Sequence, residues 1–314
     1  TCTPNPDGLT HKTSCKHCGW TSDDEKHTFG ENGACVCGIK KSAEYNGQQY
    51  ATLARAIEAA KNGGTVMLQM DVGERITVND GMNVTIDLNN NGWTTDGNIA
   101  YATLVVTGGS VTVQNGELTS GTSSNAYTAV EVEGGKLTVG ENMTIQGGSM
   151  DAGRQFPAIE VKGGELVLSV GAKLDGGLKV PKDKHLSDYL PEGTAFGLRS
   201  YDQATGTWTE DKALFADAYT TNAYNVPDKA LVVVEHTQHN FVRNEVGEYV
   251  CACGYTCPHN DFKDGKCTIC GNGCAHTDVD ENGVCENCKT QMVAKVEVGG
   301  TTTYTTDLGT TLYK

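Results

Sequence analysis

Between residues 65 and 180 an apolar position returns once per twenty-odd residues. Val78, Val106, Val132 and Val161 recur at intervals of 28, 26 and 29, each followed by a glycine turn. Val84, Val111, Leu137 and Leu166 come next in each copy, with Ile86, Val113, Val139 and Leu168 two residues further on. Leu118, Ile145 and Leu174 mark another strand in the last three copies. Within each copy the apolar period is two, the period of a strand with one buried face. A unit this short cannot bury its apolar face alone, so each copy must be one rung of a stack, closed by its neighbours. The expected element is a set of stacked parallel strands.

A second repeat lies in the cysteines. The segment 251–288 contains Cys257-Pro-His259 followed by Cys267-Thr-Ile-Cys270, then Cys274-Ala-His276 followed by Cys285-Glu-Asn-Cys288. Each copy offers three sulfurs and one imidazole at spacings that can close around one tetrahedral zinc ion. Ahead of them His236, His239, Cys251 and Cys253 make a further four donors. The start of the chain carries a looser version: Cys2, His11, Cys15, Cys18, His27, Cys35 and Cys37. Cys15-x-x-Cys18-Gly and Cys35-x-Cys37-Gly look like the two knuckles of a zinc ribbon, where glycine lets backbone amides turn toward sulfur. Another partition groups Cys2, His11, Cys15 and Cys18 around one ion, and His27, Cys35 and Cys37 with His17 or a carboxylate around another. Both remain open at this level.

All thirteen cysteines lie either between positions 2 and 37 or between 251 and 288, and seven of the eight histidines keep them company. Co-selection of Cys and His is what metal ligation requires and a disulfide framework does not; the odd cysteine count also leaves one thiol over. Structural Zn2+, several ions per chain, is therefore favoured over disulfides. A formal charge of -15 argues against a nucleic-acid partner, which needs a basic face. No apolar run is long enough to span a bilayer, and Thr1 opens no signal peptide, so the chain reads as an excised piece.

Residues 50–64 read as a short amphipathic helix, with Leu53, Ala54, Ile57 and Ala60 on one face and a glycine stop. Its narrow stripe suits a lid on the end of a sheet. Residues 181–235 lose the rung pattern and read as an irregular, strand-containing cap. Tyr304, Leu308 and Leu312 loosely parallel Tyr50, Leu53 and Ile57, as if a further module began there.

The run YATLARAIEAAKNGGTVMLQMDV followed by ITVNDGMNVTIDLNNNG resembles the helix-capped opening of pectin-lyase-like, right-handed parallel β-helix modules in large surface proteins of Gram-positive (Firmicutes) bacteria. HTFGENGACVCG and HNDFKDGKCTICG are similar to the His/Cys ribbons carried between such modules. The resemblance implies a mostly β chain: a right-handed parallel β-helix with a short N-terminal capping α-helix, flanked by small Cys/His-rich, zinc-ribbon-like modules. The divisions are then 1–40 (Cys/His-rich module), 43–180 (β-helix with its cap helix), 181–235 (C-terminal cap), 236–290 (tandem Cys/His units) and 291–314 (start of a following module). The implied setting is the extracellular cell surface, with adjacent modules of the same polypeptide as neighbours and with host or microbial glycans or surface proteins as expected partners.

β-Helices include polysaccharide lyases and hydrolases, so the acidic residues decide the enzyme question. Asp71, Asp87, Asp96, Asp151 and Asp175 do not form the clusters on consecutive rungs that the resembling polygalacturonases and pectate lyases use. Asp87 alternates with Ile86 and Leu88 and reads as a solvent-facing strand residue. Catalytic zinc needs an open coordination position, whereas each Cys/His unit offers four donors. His185 stands alone and reads as a surface residue. Tyr45, Tyr50, Tyr101 and Tyr127 are expected to pack at coil ends, and Asn83 and Asn142 to form rung turns. The expected function is a non-enzymatic structural or adhesive module, with a glycan-binding or glycan-degrading β-helix as the alternative.

Overall fold

A computed structural model describes residues 1–5, 10–30, 33–95, 101–120, 127–148, 156–202, 204–224, 229–263, 266–273, 279–286, 291–298 and 301–305. Two compact units divide the chain, residues 1–237 and 238–314.

The first unit is built on a parallel β-solenoid with three sheets. One sheet stacks Ile76–Val78, Leu104–Val106, Val130–Val132, Ile159–Val161 and Leu178–Lys179. The register follows the recurrence: Val78 pairs Val106, Val106 pairs Val132 and Val132 pairs Val161. A second sheet stacks Asn62–Leu68, Asn83–Asp87, Ser110–Gln114, Lys136–Val139 and Glu165–Leu168, aligning Val84, Val111, Leu137 and Leu166. The third stacks Gly92–Thr94, Gly116–Thr119, Met143–Gln146 and Lys173–Asp175. Here Trp93 stands in register with Leu118, Ile145 and Leu174, and supplies the position missing from the first copy. It is fully buried, and its indole N–H donates to the Glu74 carbonyl at 2.6 Å. Alternation puts every one of these aligned apolar residues in a single core.

Corners are made by residues that tolerate left-handed backbone. Gly109 and Gly135 have φ of 61° and 63°. A Cβ on Gly135 would penetrate the Gly108 backbone of the rung before it, so close stacking as well as φ demands glycine there. Between the second and third sheets asparagine serves instead: Asn89, Asn115 and Asn142 have φ of 49°, 58° and 52°. Their side chains tie successive rungs, with Asn115 Nδ2 donating to Asp87 Oδ2 at 2.8 Å and Asn142 Nδ2 to Asn115 Oδ1 at 3.5 Å.

Helix Leu53–Ala60 precedes the first solenoid strand. The Thr52 hydroxyl accepts from Arg55 N–H, and the Glu74 carboxylate takes the Leu53 and Ala54 N–H groups at 2.6 and 3.0 Å, so its N-terminal donors are satisfied. Leu53, Ala56, Ile57 and Ala60 join the core while Ala54 is exposed. The buried stripe is i, i+3, i+4, i+7, which selects Ala56 rather than the expected Ala54.

After Lys179 the chain reverses. Lys229–Glu235 pairs antiparallel with Lys173–Asp175, Thr194–Asp202 with Lys229–Glu235, and Thr207–Leu214 with Thr194–Asp202. Arg199 reaches across Ala230 to Asp175, Nη1 to Oδ1 2.6 Å, both residues buried. In the second unit the described residues form small hairpins, Phe241–Arg243 with Tyr249–Cys251, Phe262–Lys263 with Lys266–Cys267, and Ala294–Val298 with Thr301–Thr305. Leu308 and Leu312 lie outside the described residues. Among the described residues no helix is long and apolar enough to cross a membrane.

Candidate metal centres

Three groups of Cys and His donors converge, each with all its ligand atoms within 4.8 Å of one another: His11, His27, Cys35 and Cys37 in the first unit; and, in the second, His239, Cys251 and Cys253, and Cys257, His259, Cys267 and Cys270. One local device builds each. A hairpin sets an apolar residue opposite the first cysteine of a pair, Phe29 opposite Cys35, Phe241 opposite Cys251 and Phe262 opposite Cys267. The chain then turns through a glycine whose N–H returns to that cysteine's carbonyl at 2.8 Å, from Gly38, Gly254 and Gly271, with φ of 89°, 90° and 69°. The pair's sulfurs are thereby aimed to one side, and a histidine two or three residues ahead of the Phe supplies the imidazole.

In the first group His11 Nδ1 lies 3.4 Å from His27 Nδ1 and 3.5 Å from Cys35 Sγ, and His27 Nδ1 lies 3.3 Å from Cys37 Sγ. In the second, His239 Nδ1 is 3.5 Å from Cys253 Sγ; in the third, Cys257 Sγ and Cys267 Sγ are 3.5 Å apart. Zn–S bonds near 2.3 Å and Zn–N bonds near 2.0 Å give tetrahedral edges of roughly 3.3–3.8 Å, so these are the separations that four ligands of one ion adopt. Every described cysteine is a free thiol. In the third group His259 Nε2 is buried with no hydrogen-bond partner, and the ring is held between Tyr249, stacked at 4.9 Å, and Phe262 at 5.0 Å. Burial lowers the His259 pKa, which keeps the imidazole in its ligating neutral form.

Burial also pushes the Cys257 thiol up to about 12 and that of Cys253 up to about 11. Without a cation, such thiols stay protonated. A bound divalent ion would hold them as thiolates and convert its binding free energy into folding free energy. The first and third sets offer four protein donors each, leaving no coordination position for a substrate. The donors fit a structural metal, and Cys/His mixtures suit zinc.

The grouping at the start of the chain differs from both partitions considered above: His11 joins His27 and the Cys35/Cys37 knuckle, while Cys2, Cys15 and Cys18 belong to none of the three groups. His11 sits on Thr10–Thr13, where its partner is Glu25 of Glu25–Lys26, so strand pairing delivers it from sixteen residues upstream of His27. Of the fourth candidate set, Cys274, His276 and Cys288 lie outside the described residues. Cys285 is buried and bridges Val279, as the other first cysteines bridge phenylalanine.

The carboxylates are committed elsewhere. Asp71 caps the Gly92 N–H at 2.7 Å, and Asp87 accepts from Asn89 N–H, Gln114 Nε2 and Asn115 Nδ2 at 2.8–2.9 Å. Asp175 is bound to Arg199. Asp96 and Asp151 lie outside the described residues. His185 is exposed at the start of the short helix Leu186–Tyr189. Tyr45 and Tyr50 pack on the core, Tyr127 stacks on Phe156 at 5.8 Å, and Tyr101 is exposed beneath Arg75. Sequence analysis did not single out Glu131 and Glu160, which stand in register on consecutive rungs. Each is claimed by a lysine at 2.7 Å, Lys162 and Lys179. The hydrogen bond that Lys162 donates to Glu131 holds the lysine pKa up to about 12, as in an ion pair and not as in an acid and a base poised for proton transfer. For Glu160 and Lys179, a Glu and a Lys in register one rung apart would have been the signal.

No protein-family model, curated protein or solved structure matches the chain.

Proposed function

We propose that the chain is a non-enzymatic structural module of an extracellular, bacterial cell-surface protein of the pectin-lyase-like β-helix type. Helix Leu53–Ala60 serves as its N-terminal cap, and its Cys/His segments fold around zinc. The observation that carries this reading is the closure of the donor sets, groups of Cys and His ligand atoms within 4.8 Å of one another, beside a solenoid in which Asp71, Asp87, Glu131, Glu160 and Asp175 are taken up by amides, lysines or arginine. A parallel stack is a stiff, protease-resistant element suited to presentation outside the cell.

An adhesive role toward glycans draws support from one cavity of about 360 Å³ in the first unit, lined by Thr10, Lys26, His27, Phe29, Gln48, Gln49, Tyr50 and Ala51. Two aromatic rings beside amide side chains are the mixture that sugar recognition uses. Incubating the protein with plant, microbial and host polysaccharides and assaying new reducing ends and unsaturated products tests the proposal. It predicts neither product, with retention of some glycans at most; turnover of any polymer would move the assignment to a lyase or hydrolase.

A further inference from the structure

Cys15 and Cys18 join none of the three donor groups, and one tight turn holds them side by side. Cys15 N–H donates to the Trp20 carbonyl at 2.8 Å, and Gly19 N–H returns to the Cys15 carbonyl at 3.0 Å, with Gly19 at φ 72°. These bonds close the turn over Lys16, His17 and Cys18. A turn of this kind holds its first and fourth Cα atoms within about 7 Å, and a disulfide bridges Cα atoms roughly 4.4–6.8 Å apart. The backbone therefore suits a bond between these two sulfurs.

The surroundings differ from those of the metal groups. Cys35, Cys251, Cys253, Cys257 and Cys267 are buried, whereas Cys15 is half-buried and Cys18 exposed. Lys16 and His17, the residues between them, are exposed as well, so a dissolved disulfide can reach the pair. The Cys18 thiol donates to the Cys15 sulfur, and the N–H groups of His17 and Cys18 also point at it; together they lower the Cys15 pKa. Burial does the opposite at Cys253 and Cys257, which it raises to about 11 and about 12. The thiolate is the form that attacks a disulfide, and at Cys15 the turn itself supplies the donors that favour it.

We propose that Cys15 and Cys18 are a thiol–disulfide exchange site, a dithiol that low-molecular-weight disulfides oxidise reversibly. The Cys15 thiolate attacks one sulfur of the external disulfide, forming a mixed disulfide and expelling one thiolate. Cys18 then gives up its proton and attacks Cys15 Sγ; the Cys15–Cys18 bond forms, the mixed disulfide breaks and a second thiolate leaves. The protons of the two cysteines pass to the two departing thiolates, so two cysteines are oxidised while one external disulfide is reduced to two thiols. Excess thiol runs the same steps backward. The site is built within one turn of the chain, so it does not depend on metal at the other groups, and it goes beyond the structural role proposed above.

The test reduces the 314-residue chain with a phosphine, removes the reductant and equilibrates the protein with glutathione disulfide and glutathione at graded ratios. After acid quenching and alkylation, peptide mapping reads the state of each cysteine, and elemental mass spectrometry reads zinc in the same samples. The peptide holding Cys15 and Cys18 is expected to lose two hydrogens as the disulfide share rises and to regain them when the ratio is reversed. Cys18→Ser is expected to stop at a glutathione adduct on Cys15, a species the parent chain passes through without accumulating. The proposal is overturned if the parent chain carries separate adducts on Cys15 and Cys18 with no bond between them, if Cys15 bonds Cys2 or a second chain instead, or if both thiols resist oxidation until a chelator removes metal. Failure of closure with zinc bound at the other groups leaves the structural metal reading intact. Closure in a zinc-free protein overturns that reading and keeps this one.

Discussion

His11 faces two ways: its Nδ1 lies 3.5 Å from Cys35 Sγ, and its Nε2 lies 3.6 Å from the Glu25 carboxylate. A ligating imidazole backed by a carboxylate on its other nitrogen is fixed in tautomer and orientation and made more basic. Glu25→Gln should therefore weaken zinc at the first group by about 10- to 100-fold while leaving the other groups unchanged. Competition against a chromophoric chelator, resolved into one weakened and several unaltered sites, checks this. Uniform affinity in the variant would remove Glu25 from the site.

The Asp175–Arg199 pair sets a pH dependence. Burial pushes the Asp175 carboxyl up to about 6 from an ordinary 3.8, against the opposing pull of Arg199. Between those values the folded protein holds a proton that the unfolded chain releases, so stability falls as pH rises through this window. The contribution is on the order of 2–3 kcal/mol. Urea midpoints at pH 4.5 and 7 should show that fall in the wild type and lose it in Asp175→Asn. Arg199→Met should cost about 3–5 kcal/mol at pH 7, where the stranded Asp175 carboxyl must ionise without a partner or hold a proton that the unfolded chain releases, and less at pH 4.5.

Glycine at the rung corners is needed for two separable reasons. Gly171 has φ 83° and open space where a Cβ would stand, so Gly171→Ala should cost only the left-handed penalty, about 1–2 kcal/mol. At Gly135 a methyl would also strike the Gly108 backbone, and Gly135→Ala should cost clearly more, or prevent folding. Denaturant titration of the two variants reads the difference; equal costs would show that the corners do not stack as described.

The core register makes Val132 a stringent position, since it is fully buried and paired on both sides. Val132→Asp places an unpaired carboxylate among apolar side chains at a cost of several kcal/mol, comparable with the about 5–15 kcal/mol that holds a domain together. Loss of the cooperative thermal transition is expected; a folded Val132→Asp protein would contradict the register.

The rung register was legible because each copy repeats the same alternation at nearly the same interval, and Val78, Val106, Val132 and Val161 need only be aligned. Trp93 escaped because the first copy places an indole where the others have aliphatic residues, so an aliphatic pattern passes over it. The described Cys/His groups after residue 236 were legible because their donors follow one another closely. The first group was not, because strand pairing brings His11 to His27 and no local spacing encodes that step. The Arg199 bridge to Asp175 was hidden for a like reason: it depends on two antiparallel strands and on a small side chain, Ala230, between the partners.

Metal content measured together with thiol state tests the account most directly. Protein purified without added metal should contain at least three zinc ions per chain, one for each group, and the group thiols should resist titration until a strong chelator removes the metal. Near-zero zinc with most thiols already oxidised would contradict it and make these segments disulfide staples instead.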